Sequence, residues 1–203
     1  MKRASFFNPI VTACAVLMCA VIVGCIAFAG DGAEGIRLTL RTSARISFVL
    51  FLLTFLASPL ATLAPGPVTN QLRANRRSLG LAFALAHSTA GLCIITLLVF
   101  FHDSFVAITY PLQRIGGTVG FAAILTMVIT SFDTTKKWMT AGQWKVLHSL
   151  CLYFISINYL VSFGRRVVLH RNAFYLPFLA ILLASIAVRL YAARVPSRRS
   201  VAA

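Results

Sequence analysis

Six apolar stretches separated by short polar loops make up most of the chain. A transmembrane helix needs about 20 mostly apolar residues. The stretches of suitable length are Pro9–Ala29, Ile46–Leu63, Leu79–Phe101, Gly116–Phe132, Gln143–Phe163 and Phe174–Leu190. The pattern predicts an all-α membrane protein, a six-transmembrane-helix bundle. Because no loop is long enough for a soluble domain, we expect residues 1–203 to form a single transmembrane domain.

The basic residues lie in the loops between these stretches. The chain has 19 lysines and arginines against four acidic residues, a formal charge of +15. Short basic clusters beside apolar runs are typical of loops that meet lipid headgroups, so we expect membrane lipid and no nucleic acid as partner. Twelve basic residues fall on the side of the two termini and seven on the other. This excess predicts that both termini are cytoplasmic.

Two features of the apolar stretches bear on processing and packing. Ala27-Phe28-Ala29 resembles a signal-peptidase site, but the apolar run before it is longer than a usual signal core, so we expect an uncleaved first span. Gly116, Gly120 and Ala123 form a stripe of small residues on the fourth span, where we expect another helix to approach closely.

His87 and His148 lie in or beside long apolar stretches, where an imidazole is costly unless it has a partner or a function. His87 is ten residues past Arg77, and His148 is eleven past Lys137. At 1.5 Å per residue of continuous helix, both lie about 15 Å beyond a basic rim. The spacing therefore predicts that the two histidines lie at matching depth on parallel helices, an arrangement that suits the two axial ligands of a haem iron.

The helix face around His87 favours the same chemistry. Gly80, Ala84, His87 and Gly91 fall at helical spacing, and small residues leave room for a flat ring. A histidine that only hydrogen-bonds a neighbouring helix explains the residues equally well, and both interpretations stay open.

His102 and His170 lie near the other ends of their spans and form a possible second site. Interface histidines are common and need no function. The sequence shows no carboxylate pair, no Ser/His/Asp set and no Cys-x-x-Cys motif, so no catalytic residues are predicted.

Three stretches of the chain resemble the ferric reductase-like transmembrane domain family. They are Ser58-Pro59-Leu60 preceded by Arg41 and Arg45, the run from Arg76 to His87 that begins Arg-Arg-Ser-Leu-Gly-Leu, and Trp144-Lys145-Val146-Leu147-His148. Together they cover roughly residues 37–165. In size the chain is nearest to the haem-binding membrane subunits of periplasmic methionine sulfoxide reductase systems.

The resemblance implies a bacterial inner-membrane cytochrome b that passes electrons from a cytoplasmic flavoprotein reductase or quinol to a periplasmic oxidoreductase. His87 and His148 match the family's haem b ligands, and Arg76, Arg77 and Lys145 are candidates to neutralise the propionates. Relatives carry a further histidine where this chain has Val161, which implies one haem here, with a quinone or flavin as a possible second carrier. The alternative is a haem-free scaffold or small transporter derived from the same fold.

Overall fold

A computed structural model describes residues 8–169 and 171–195, apart from the side chains of residues 133 and 136. In this part of the chain, six helices are long and apolar enough to cross a membrane, and no strand is present. The long helices are α1 (Pro9–Ala29), α2 (Ala33–Leu63), α4 (Arg76–Phe100), α6 (Pro111–Ile129), α8 (Ala141–Val168) and α9 (Leu176–Arg194). The short helices between them are α3 (Pro67–Ala74), α5 (His102–Ile108) and α7 (Asp133–Lys136). The predicted all-α multi-pass membrane protein is confirmed.

The helix boundaries differ from the predicted spans chiefly at α2. The first predicted span and α1 coincide, whereas α2 begins 13 residues before the predicted Ile46. The added turns carry Arg37, Arg41 and Arg45, which an apolar-window criterion rejects. Within these turns the guanidinium of Arg37 pairs with Glu34 at 2.6 Å, and that of Arg45 lies over the ring of Phe174 at 4.9 Å.

Local sequence signals explain where the helices begin. Asn8 caps α1 by accepting a hydrogen bond from the Ile10 amide at 3.0 Å, and proline follows at the first helical position. α8 begins with a capping box. The backbone amide of Gln143 donates to the Thr140 hydroxyl at 3.2 Å, and the side-chain oxygen of Gln143 accepts from the backbone amide of Thr140 at 2.8 Å. The cap fixes the start of α8 at Ala141, and this position sets the depth of every side chain that follows.

Successive long helices run in opposite directions, so the bundle has two distinct ends. The starts of α1, α4 and α8 share one end with the last turns of α2, α6 and α9, and we call this the His148 end. The opposite end, where α8 finishes and α9 begins, is called the Tyr175 end.

Aromatic rings fill the interior between α2, α8 and α9. Phe48, Phe51 and Phe55 are fully or almost fully buried on α2. The Phe48 ring meets Phe163 edge-on at 4.9 Å, and Phe51 packs on Tyr159 at 5.3 Å. Edge and tilted contacts of this kind stabilise more than burial alone, so this aromatic layer fixes α8 against α2.

The small-residue stripe on α6 receives α8, as its spacing predicts. A Cβ at Gly116 would lie 2.6 Å from the Asn158 side-chain oxygen, and a Cβ at Gly120 would lie 3.7 Å from its nitrogen. Asn158 therefore occupies the space that the two glycines leave. The stripe therefore serves helix packing.

Candidate functional site

His148 is held on the second turn of α8 by the last turn of α6. Its Nε2 lies 3.0 Å from the Thr130 hydroxyl, and its ring stacks on Trp144 with centroids 4.1 Å apart. Trp144 in turn donates from its indole nitrogen to the Thr130 carbonyl at 3.0 Å. The imidazole is 9% exposed, so it has one defined position at the edge of the bundle interior.

A cavity of about 310 Å³ opens beside this imidazole between α3, α4, α6 and α8. That volume is at the lower end of the usual range for small-molecule pockets. Its walls are mostly apolar or small. The apolar and small lining residues include Gly80, Leu81, Ala84, Ile124, Met127, Val128 and Leu152. The cavity therefore has the imidazole of His148 at one wall and a mostly apolar lining around it.

Three arginines line the same cavity at the His148 end. They are Arg73 from the last turn of α3 and Arg76 and Arg77 from the first turn of α4. Arg76 donates to the Ser58 hydroxyl at 3.2 Å, which holds its guanidinium near Pro59 of α2. Two of the predicted propionate partners are thus present. Lys145 is exposed and is not among the residues that line the cavity, so that assignment gains no support.

His87 belongs to a different polar cluster, deeper in the bundle. Its Nδ1 lies 3.0 Å from the Ser47 hydroxyl, and Ser47 lies 2.7 Å from the Tyr159 hydroxyl. Ser47 is fully buried and Tyr159 nearly so. The ring of Phe121 from α6 packs against the imidazole at 4.8 Å. The Ser47–His87–Tyr159 cluster therefore links α2, α4 and α8 through side-chain hydrogen bonds.

The two histidines lie at different depths, contrary to the expectation from sequence. His87 contacts Tyr159, which is eleven residues beyond His148 on α8, a separation of about 16 Å along the axis. Along α6, the two histidines contact Phe121 and Thr130, nine residues and about 14 Å apart. His87 does not line the cavity beside His148. In this structure the two imidazoles do not face one another across a single site.

The depth estimate fails because it assumes continuous helix from the two basic rims. α4 begins at Arg76, so ten helical residues do separate Arg77 from His87. Lys137 lies before the start of α8 at Ala141, and the residues between are not helical. His148 is therefore only seven residues into α8, and it lines one cavity with Arg76 and Arg77 at the start of α4, so the two helices do not begin at the same level. His87 lies eleven residues beyond Arg76, about 16 Å further along α4.

The small-residue face of α4 is divided between two environments. Gly80 and Ala84 line the cavity, as a flat ligand requires. At Gly91, however, an added Cβ would lie 2.6 Å from the Phe121 ring, so an aromatic side chain of the protein already fills that space.

The possible second site receives no structural support. His102 is exposed at the start of α5, with its ring 6.4 Å from that of Phe105. His170 lies outside the described residues. Val161 is 43% exposed and so lies on the outer surface of the bundle. Among the described residues, no three of His, Cys, Asp and Glu converge as a metal-binding group.

Sequence reasoning missed Arg73, Thr130, Ser47 and Tyr159. Arg73 follows the Pro-Gly-Pro turn in a stretch that reads as a loop, and only the short helix α3 brings it back over the cavity. Serine, threonine and tyrosine are common in spans, and nothing in their spacing indicates which of them meets a histidine.

Comparison with protein-family models, with curated proteins and with solved structures finds no match to this chain. The resemblance to the ferric reductase-like family therefore rests on the three sequence stretches alone.

Proposed function

We propose that this multi-pass membrane protein is a haem-binding electron-transfer subunit, with the haem b in the cavity beside His148. The observation that carries the proposal is the composition of that cavity: one imidazole, an apolar lining and three guanidiniums at one rim. A haem needs these three things, since its iron takes a nitrogen ligand, its ring is apolar and its propionates are anionic.

The residues of the cavity have distinct tasks in this proposal. His148 would supply the nitrogen ligand through its Nε2, which faces the Thr130 hydroxyl in this structure. Gly80 and Ala84 leave a flat wall on α4, and Arg73 and Arg76 neutralise carboxylates at the His148 end. A bound haem supplies one-electron chemistry, which the protein tunes through burial and nearby charge.

His87 is not a ligand of this haem in our proposal. Its contacts place it about 14–16 Å further along the bundle, and its Nδ1 is engaged by Ser47. We assign it the task of joining three helices. Bis-histidine ligation by His87 and His148, which the family resemblance implies, would require a large shift of α8 along α4.

The proposed setting is a bacterial inner membrane with both termini in the cytoplasm. A soluble flavoprotein reductase or a quinol would then reduce the haem from the His148 end, and a periplasmic oxidoreductase would accept the electron. Because the cavity lies at one end of the bundle, a second carrier such as a quinone is needed to reach the other.

A haem-free membrane scaffold is the second candidate. One observation favours it: each imidazole already has a hydroxyl partner, Ser47 for His87 and Thr130 for His148. Hydrogen bonds of this kind satisfy a buried histidine without any cofactor.

Haem content separates the two candidates. The chain is expressed in a haem-sufficient host, purified in mild detergent and assayed by pyridine haemochrome. We expect about one haem b per chain. A colourless protein that is monodisperse and helical would support the scaffold and refute the haem proposal.

A further inference from the structure

The Tyr175 end carries an arginine cluster that neither haem binding nor topology explains. All seven basic residues assigned to this side are arginines, and they oppose the charge bias that orients the protein. They are Arg37, Arg41, Arg45, Arg114, Arg165, Arg166 and Arg171. The four lysines of the chain all lie on the other side. Arginine alone, without lysine, is typical of sites that bind planar or tetrahedral oxyanions through paired hydrogen bonds.

Two of these arginines converge on one aromatic pair. Arg166 donates to the Tyr175 hydroxyl at 2.5 Å, and its guanidinium carbon lies 4.8 Å from the centre of the Tyr175 ring. Arg45 lies 4.9 Å from the centre of the Phe174 ring, which meets the Tyr175 ring edge-on at 5.4 Å. Arg45 also lies within reach of the Tyr175 hydroxyl.

These two positive charges have no negative counterpart among the described residues. The one ion pair found there joins Arg37 to Glu34. The Nε atom of Arg45 is buried and has no hydrogen-bond partner in the protein. Arg45 is also only two residues from the buried Ser47, so it lies deep on α2. A charge at that depth needs a partner, and two guanidiniums on one aromatic pair repel each other without an anion.

We propose that Arg45 and Arg166 bind the phosphodiester headgroup of an anionic phospholipid. The surroundings favour a lipid as the source of the phosphate. Phe174 and Leu176 beside the site are 54% and 49% exposed on the outer surface of the bundle, where acyl chains pass. Arg166 offers the donors that do not face Tyr175, and the half-buried guanidinium of Arg45 lies over the neighbouring Phe174 ring.

Native mass spectrometry of the purified chain tests this site. The protein in detergent is titrated with phosphatidylglycerol, with phosphatidylcholine and with inorganic phosphate. We expect phosphatidylglycerol to bind more tightly than phosphatidylcholine. Arg45→Gln and Arg166→Gln each weaken phosphatidylglycerol binding about tenfold, since a charge-assisted hydrogen bond is lost. Arg171→Gln, an exposed arginine at the same end, serves as the matched control and leaves the affinity within about twofold.

Four outcomes would overturn the proposal. Equal affinity for the two lipids removes the need for an anionic headgroup. Wild-type affinity in both glutamine variants places the lipid elsewhere. Displacement of phosphatidylglycerol by an equal concentration of inorganic phosphate means that a free anion is the ligand. Far-ultraviolet circular dichroism checks the fold of each variant, and Arg166→Lys, which keeps the charge but not the paired donors, decides the matter if a glutamine variant fails to fold. The fourth outcome is full affinity for phosphatidylglycerol in Arg166→Lys, because lysine keeps the charge without the paired donors.

Discussion

The guanidinium of Arg189 on α9 donates a hydrogen bond of 2.7 Å to the backbone carbonyl of Phe55 on α2. In a regular helix the Phe55 carbonyl would accept a hydrogen bond from the backbone amide of residue 59. Residue 59 is proline, which has no amide hydrogen. Arg189 therefore replaces the missing hydrogen bond from outside the helix, and its guanidinium also lies over the Phe55 ring at 4.5 Å. A charged residue near the end of α9 thus explains how α2 accommodates a proline within its length.

The replacement of Arg189 by leucine should destabilise the protein because it leaves the Phe55 carbonyl without a donor. We expect a loss of about 1–3 kcal/mol in the free energy of unfolding. Pro59→Ala restores the helical amide, so Arg189→Leu should cost clearly less in that background. Denaturant unfolding in detergent of the wild type, the two single variants and the double variant measures the coupling between residues 59 and 189. The same cost for Arg189→Leu in both backgrounds would show that Arg189 does not compensate for Pro59.

Removal of the Ser47 hydroxyl should weaken the contact between α2, α4 and α8. Ser47→Ala deletes the contacts to both His87 and Tyr159, whereas Tyr159→Phe leaves the 3.0 Å contact between Ser47 and His87. We expect Ser47→Ala to cost about 1–3 kcal/mol and Tyr159→Phe about 1 kcal/mol. The comparison uses the same unfolding assay, and a larger loss for Tyr159→Phe would contradict the central position of Ser47.

The tight turn between α1 and α2 should not tolerate a side chain at residue 35. A Cβ on Gly35 would overlap the backbone carbonyl of Gly30, whose φ of 81° caps α1. Backbone atoms cannot move aside as a flexible side chain can, so Gly35→Ala should cost 3 kcal/mol or more, as a rough estimate. Gly32→Ala is the control, because an added Cβ there meets nothing within 4 Å. Similar expression and melting temperatures for the two variants would refute this reading of the turn.

If haem binds as proposed, the arginines at the cavity rim should raise its reduction potential. A nearby positive charge favours the reduced iron, so Arg73→Gln should lower the midpoint potential by roughly 20–60 mV. Arg194→Gln removes the same charge at the His148 end from a residue that does not line the cavity. Spectroelectrochemical titration of both variants gives the comparison, and equal shifts would mean that only the overall charge matters.

The number and type of the spans follow from the sequence because long apolar runs have no other stable form in a bilayer. The start of α2 does not follow, since a window criterion excludes Arg37, Arg41 and Arg45. In that segment Arg37 pairs with Glu34 one turn away, and Arg45 lies over Phe174, which is 129 positions further along the chain. A single sequence gives no signal for the second contact.

The candidate site is predictable only in part, for a related reason. His148, Arg76 and Arg77 can be chosen from residue type and position, and all three line the cavity. The pairing of His87 with His148 rests on equal helical depth, which assumes that the two basic rims lie at the same level. His148 instead lines the cavity with Arg76 and Arg77, and His87 lies eleven residues beyond Arg76, about 16 Å further along α4.

The most direct test of the account is the visible absorption spectrum of two purified variants. We predict that His148→Ala abolishes the Soret band of the bound haem, whereas His87→Ala retains it at an unchanged position, with a lower melting temperature. A spectrum lost in both variants would mean that the two histidines share one haem, against the depths found here. A spectrum unchanged in His148→Ala would contradict the proposed site itself.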